Sequence, residues 1–521
     1  MGRVLHRALQ HRLLPPQRRI QRFLDDAVGT QAAVLRRLLA EAADTTWGRR
    51  FRFGELAREP DVVRAFQACV PLGDYATFRD DIQRMRQGEP DVLCRGRVRG
   101  FATSAGTTSQ AKSIPAPQAL LRANLRHGAA ALVSYLAETG QLACLGGMPL
   151  ALTGCVQRDP ERPEIRAGEI SGLGAEYWAR RGLLRKWVLR RKSLPTSFLF
   201  EDDWDRKLDG IVEYTMDRDV RLVCMVPSWG LQLFDRLIDR YNRKHGTRGT
   251  TIGDIWPNLA LVIAGGVPLG VYREMLQERI GSAKVAFVEV YGASEAPIAF
   301  QASQADSAMV LHLNNGVFFE FLRHEEFGTE HPRRLGIADV ETGVDYVPVV
   351  STCGGLWAYC LGDVVRFTET FPHKIMVVGR TAEILDSYGE FVLGSQAREA
   401  LGAACARTEA RVLEFHLAPR PALNGRPHAH QWLIEFDAPP LSGDDFVRKL
   451  DAALQQRNPM YACCRREKGL GLPEVVPVDK GVFYDCLQRN QGKIGAQTKV
   501  PCMSDNRRLA DRVLEINPSN S

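Results

Sequence analysis

Residues 259–292, LALVIAGGVPLGVYREMLQERIGSAKVAFVEVYG, decide the fold class. The apolar run Leu259 to Ala264 reads as a buried strand ending at Gly265-Gly266. Val271 to Ile280 has helical spacing, and Lys284 to Val290 is a second β-type run ending at Tyr291-Gly292. The alternation recurs upstream, where helices at Asp202 to Asp217 and Leu231 to Tyr241 flank the short apolar run Arg221 to Val226. Strands alternating with helices predict an α/β core with a largely parallel sheet. Ligands on such sheets sit beyond the carboxyl ends of the strands, where both glycine-bearing turns fall here.

Outward from this core, helices are predicted over Ile20 to Ala43, over Arg64 to Gln87 around the turn Pro71 to Asp74, and over Gln118 to Ala137. Between Val310 and Arg380 short β-type runs separated by turns predict a smaller antiparallel sheet or barrel. Gly379-Arg380-Thr381 reads as a joint. Beyond it come a helix near Ser395 to Cys405, strands at Arg411 to His416 and Gln431 to Phe436, a helix at Asp444 to Gln456 and a strand at Glu474 to Pro477. That is a compact α+β module, with Ala418 to His430 expected as an exposed loop.

Composition narrows the class. A chain of 521 residues is too long for one typical domain, and 45% hydrophobic with 25% charged residues is ordinary for a globular protein. The net charge of +7, from 68 basic against 61 acidic residues, gives no argument for nucleic acid. Twelve cysteines stand without CxxC or zinc spacing, which reads as a reduced, cytoplasmic protein. The basic, leucine-bearing N-terminus lacks the apolar stretch of a secretory signal and reads as an exposed amphipathic helix. No run is long enough for a transmembrane helix.

The stretch Phe101 to Pro115, FATSAGTTSQAKSIP, concentrates hydroxyls at Thr103, Ser104, Thr107, Thr108 and Ser109 around Gly106, with Lys112 trailing. Hydroxyls, free backbone N–H groups and one ammonium suit a polyphosphate, and the predicted helix just downstream would add its dipole. Turn chemistry favours the same residues. Gly106 to Ser113 falls one residue short of a P-loop, because Ala111 replaces the second glycine that lets backbone wrap phosphate. Tyr291-Gly292-Ala293-Ser294-Glu295 offers a ring for a nucleobase, a hydroxyl, and a carboxylate for Mg²⁺. Taken singly it is a strand-end turn with a surface glutamate. Asp363, after the glycine turn at Gly362, suits a ribose diol or a simple hairpin. Apolar residues such as Tyr135, Trp229 and Phe234 line either an acyl pocket or plain core.

In this order, TSAGTTSQAK, GGVPL, YGASE, LGDVV and GR resemble the motifs of the firefly-luciferase-like adenylate-forming superfamily. With DTTWGRRFRF, DVETGVDYVPVVSTCGGLWAYCLGDVVRF and GAQTKVP, the chain resembles the auxin-responsive Gretchen Hagen family of acyl acid–amido synthetases over roughly residues 40 to 505. The resemblance implies a large N-terminal nucleotide- and acyl-binding domain over 1–380 and a small mobile C-terminal domain over 381–521. It implies a phosphate loop of Thr103, Ser104, Gly106, Thr107, Thr108 and Lys112. Gly265 and Gly266 would line the adenine, Tyr291 with Gly292 would stack on it, and Ser294 would lie near phosphate. Glu295 would hold Mg²⁺, Asp363 the ribose and Arg380 the hinge, with Lys499 as the C-terminal lysine and Lys493 its competitor. ATP and Mg²⁺ are the implied cofactors. A carboxylic acid and an amine, an amino acid by family likeness, are the implied substrates. The chain departs from the family's usual cations at Ala358, Cys360, Phe391 and Cys502. An acyl-CoA ligase, or a catalytically weakened nucleotide-binding relative, is the alternative.

Overall fold

Four short apolar runs, Met148–Ala151, Val220–Met225, Leu261–Gly265 and Ala286–Gly292, pair side by side and parallel, as their near-continuous apolar character requires. Val220, Val223, Leu261, Val262 and Ala264 are fully buried. The computed structural model that shows this describes residues 25–104, 112–180, 194–381, 383–385, 387–388, 390, 392–422, 427–466, 470–491 and 500–517. The amphipathic helix expected at the N-terminus, up to residue 24, lies outside these.

After Gly292 the strands change direction. Pro297–Gln301 and Met309–Leu311 continue the sheet antiparallel, followed in space by His373–Arg380, Asp363–Thr370, Asp345–Thr352 and Val317–Arg323. The runs expected as a smaller separate sheet therefore extend the parallel set in one eleven-stranded mixed sheet. Turn spacing shows that these strands are short; it cannot show which neighbour they pair with. Helix Ala27–Glu41 is tied to the Val317–Arg323 strand by one buried side chain. Gln31 Nε2 donates to the carbonyls of Leu313 at 2.6 Å and Val317 at 3.1 Å, and its Oε1 accepts the Phe319 N–H at 2.7 Å.

The helix expected from Leu231 starts four residues earlier and runs Pro227–His245, because proline at the first helical position forfeits no hydrogen bond. Phe234 packs edge-on against Trp256 and Trp229 against Trp204, and Tyr135 is 2% exposed, so all three belong to buried packing.

The described chain divides into two compact units. The first holds residues up to Ser104, those from Lys112 to Leu361, and Val365–Val377; the second holds Gly362–Val364 and those from Val378 onward. In the second, Arg411–Arg420 and Ala429–Ala438 pair antiparallel, Glu474–Val478 adds a parallel strand, and helices Gly394–Thr408 and Gly443–Arg457 pack together. Both long strands run ten residues, so Ala418 and His430, expected in an exposed loop, are fully buried. His430 Nε2 meets Glu390 Oε1 at 3.0 Å, which is how polar residues came to sit inside a strand pair.

Burial pushes His127 in the first unit and His416 in the second down to about 4, although carbonyls facing each ring oppose the shift. Their folded values lie below the ordinary 6.5, so the unfolded chain binds more protons between the two. Stability therefore falls as pH drops through that window, by on the order of 3 kcal/mol per histidine. Urea midpoints should decline steadily from pH 7 to 4.5; a flat profile would show that neither imidazole is held neutral.

Candidate active site

The site is built where the parallel strands end. Gly265 lies opposite Val290 in register, and a Cβ at Gly265 would fall 2.7 Å from Val290 Cγ2 and 2.9 Å from its carbonyl oxygen. Only glycine allows the two strand ends to close so tightly. Gly266 follows at φ +90°, a left-handed conformation natural to glycine. Strand Ala286–Gly292 then reverses through a tight turn: Ala293 N–H donates to the Ala296 carbonyl at 2.8 Å, and Ala296 N–H returns to Ala293 at 3.3 Å. A register shift at Tyr291/Gly292 marks the start of the reversal, with Tyr291 opposite Ala299. The turn carries Ser294 and Glu295, each only 7% exposed. Glu295 is thus no surface glutamate.

Tyr359 O–H donates to Glu295 Oε1 at 3.4 Å. Burial first, and the Glu295 charge next, push the Tyr359 phenol far up, so it remains a donor. The main chain around Tyr359 is pinned on both sides: Gly73 N–H donates to the Ala358 carbonyl at 3.0 Å and Cys360 N–H to the Gly73 carbonyl at 2.8 Å. Ala358 is fully buried at φ +45°, with its N–H on Ser351 Oγ, and burial raises the half-buried Cys360 thiol to about 11. Of the positions read as missing cations, Ala358 is enclosed and Cys360 is half-buried. The sequence assigns Tyr359 no role here, since nothing local marks it as the partner of Glu295, 64 residues away.

The hydroxyl-rich stretch is flanked by a hairpin of Gly100–Ser104 and Lys112–Pro115, with Thr103 opposite Ser113 and Ser104 opposite Lys112. Ser113 N–H donates to Tyr75 Oη at 3.0 Å, and the Lys112 ammonium lies 5.8 Å from the Tyr75 ring centroid. Gly106, Thr107 and Thr108 lie outside the described residues. Helix Gln118–Thr139 starts beyond Pro115, at the hairpin end opposite the stretch.

In the second unit Arg380 Nε meets Asp363 Oδ1 at 3.3 Å, and Thr381 donates through N–H and Oγ1 to the Gly362 carbonyl at 2.8 and 3.1 Å. Phe391, Lys493 and Lys499 lie outside the described residues. From Val500 the chain is anchored: His416 Nδ1 donates to the Pro501 carbonyl at 2.7 Å and Leu417 N–H to Cys502 at 2.9 Å. Cys502 is buried beside Glu383 and Arg398.

Family models for the GH3 N-terminal, central and C-terminal domains match residues 16–174, 310–380 and 395–508. The chain belongs to the GH3 family. It is similar to the indole-3-acetic acid-amido synthetase GH3.3 of Arabidopsis thaliana, 31% identical over 390 residues. That match takes in 65% of this chain and 64% of the relative, so the chain spans just under two thirds of that relative's length. In fold this GH3 chain resembles the AtGH3.15 acyl acid amido synthetase, with TM-score 0.75, 18% identity and 95% of each chain covered. It also resembles a 2-hydroxyisobutyryl-CoA ligase solved with an acyl-adenylate, at TM-score 0.58 and 14% identity, over 93% of this chain and 91% of the other. The fold is that of the GH3 proteins and of adenylate-forming ligases.

A double-mutant cycle tests the Tyr359–Glu295 contact. Tyr359→Phe should cost about 1–2 kcal/mol of unfolding free energy, and much less when Glu295 is already alanine and offers no acceptor. Additive costs in urea unfolding would show that the two groups are energetically independent.

Proposed function

We propose that this GH3 protein is an ATP-dependent acyl acid–amido synthetase, and that the turn carrying Glu295 is the centre of its nucleotide site. The observation carrying this reading is that turn: a buried carboxylate and hydroxyl beside a close glycine approach, at the carboxyl ends of parallel strands. A substrate carboxylate attacks the α-phosphate of ATP, its oxygen forming the new P–O bond while pyrophosphate leaves. An amine, taken to be that of an amino acid, then attacks the acyl carbon, forms the amide and expels AMP. An aryl carboxylic acid is a reasonable first substrate, since the Arabidopsis relative is named for indole-3-acetic acid.

Each residue has a positioning or charge-neutralising task, as phosphoryl chemistry demands. Tyr291 stacks on the adenine that Gly265, Gly266 and Gly292 let approach. Asp363 accepts the ribose hydroxyls, and Arg380 stands at the joint between a domain of residues 1–380 and a small domain of 381–521. Thr103, Ser104, Gly106, Thr107, Thr108, Ser294 and Lys112 hold the phosphates. Lys499, in preference to Lys493, supplies the cation opposite the α-phosphate as pyrophosphate departs.

Glu295 suits Mg²⁺: one buried carboxylate is what this ion takes from protein when the remaining ligands are water and phosphate. Mg²⁺ supplies charge neutralisation at the phosphate oxygens; Glu295, steadied by Tyr359, orients it. All twelve cysteines are free thiols, in keeping with a cytoplasmic enzyme. No described helix is long and apolar enough to cross a membrane.

ATP–pyrophosphate exchange over a panel of aromatic and fatty acids tests the reading. One or more acids should support exchange, and product mass spectrometry with amino acids against CoA as acceptors should find an amide. A thioester instead would make the protein an acyl-CoA ligase, and no exchange by folded protein would end the synthetase reading. Glu295→Gln should lower exchange by roughly 10²-fold or more. Lys499→Ala should slow adenylation with nucleotide affinity nearly intact; the same loss from Lys493→Ala alone would reassign the lysine.

A further inference from the structure

Four ionised side chains in the second unit alternate in sign: Arg398, Glu383, Arg380 and Asp363. Arg398 Nη2 lies 2.8 Å from Glu383 Oε2, and Arg380 Nε lies 3.3 Å from Asp363 Oδ1. Glu383 joins the two pairs through the backbone as well as by charge. Its N–H donates to the Arg380 carbonyl at 3.0 Å, and its own carbonyl accepts the Gly394 N–H at 2.9 Å.

The Glu383 side chain is only 12% exposed. Burial pushes its carboxyl up, but the guanidiniums of Arg398 and Arg380 prevail and hold it below the usual range. Burial and the Glu383 charge keep the adjoining Cys502 thiol protonated, hence able to donate to that carboxylate. The packing is close, since a Cβ on Gly394 would fall 2.7 Å from Glu383 Oε2 and 3.1 Å from Cys502 Sγ. A buried charge is costly and repays its desolvation only through partners. Core packing alone gives no reason for one here, where an apolar side chain would fill the space more cheaply.

We propose that Glu383 is a positioning residue for the nucleotide: through Arg380 it holds the Asp363 carboxylate ready for the ribose diol. This rests on the reading of Asp363 as the ribose acceptor. A carboxylate that takes two hydroxyls must keep one orientation, and Arg380 can fix it only if its own long side chain is fixed. Arg380 is 36% exposed against 16% for Asp363, and the Glu383 charge acts on its guanidinium while the Glu383 N–H holds its carbonyl. Arg398 and Cys502 in turn keep Glu383 ionised and in place.

The test is direct binding of ATP and 2′-deoxy-ATP to the full-length protein by calorimetry, which needs no acyl substrate. Wild-type protein should prefer ATP by roughly tenfold or more, as a hydroxyl donating to a carboxylate implies. Asp363→Asn should abolish that preference. Glu383→Gln should reduce it to within about threefold, by weakening ATP while leaving 2′-deoxy-ATP nearly unchanged, and Glu383→Asp should restore part of it. If Glu383→Gln fails to fold, Glu383→Gln with Arg398→Gln replaces the buried pair by neutral amides and must show the same narrowing. Lost stability, or equal weakening of both nucleotides, with the preference intact would make Glu383 merely structural and overturn the proposal. An intact preference in Asp363→Asn would instead refute the ribose assignment, and the proposal with it.

Discussion

The reversal of strand direction at Ala293–Ala296 is the constraint on which the site depends. Up to Gly292 the sheet is parallel; from Pro297 it is antiparallel. The turn is tight because its two alanines exchange backbone hydrogen bonds, and Ser294 and Glu295 between them are buried. Gly265 makes the junction possible by accepting Val290 at a distance no side chain could tolerate. An α/β sheet concentrates its unpaired strand ends on one edge, and here that edge is where a small turn delivers a buried carboxylate.

Burial of charge is the second theme. Glu295 leans on Tyr359, and Tyr359 is held by backbone hydrogen bonds to Gly73 on either side of it. Glu320, fully buried, meets Arg334 through two contacts at 2.8 and 2.9 Å. Glu390 with His430 and Glu383 with Arg398 repeat the pattern in the second unit. Such groups cost more to bury than apolar residues of the same size, so they fix geometry more than they add stability. Enzymes that work by positioning and neutralising phosphate have use for that trade.

Most of the architecture was legible in the sequence, for particular reasons. Leu259 to Gly292 could be read because apolar runs, glycine punctuation and helical spacing agree there, and the structure places strand, helix and strand within two residues of expectation. Which strands pair was not legible: the runs from Val317 to Arg380 carry no mark that they extend the parallel sheet. Pro227 hid a helix start, and His430 hid a strand, because a buried polar residue looks like loop until its partner, Glu390, is known. At the turn after Tyr291 the residues alone read as a surface glutamate, and it was the ordered set of motifs that drew Gly265, Gly266 and Glu295 together. Tyr359 and Glu383 were missed, since nothing local separates an ordinary tyrosine or glutamate from one whose partner lies 64 residues away, or 15.

In the proposed reaction a carboxylate oxygen attacks the α-phosphate of ATP. The most direct measurement is isotope transfer, using an acid that supports exchange, with both carboxylate oxygens labelled, followed by mass spectrometry of the nucleotide released on amide formation. The expected product is AMP carrying one labelled oxygen, with unlabelled pyrophosphate. Label in inorganic phosphate, with ADP as the nucleotide product, would mean attack at the terminal phosphate and would contradict it.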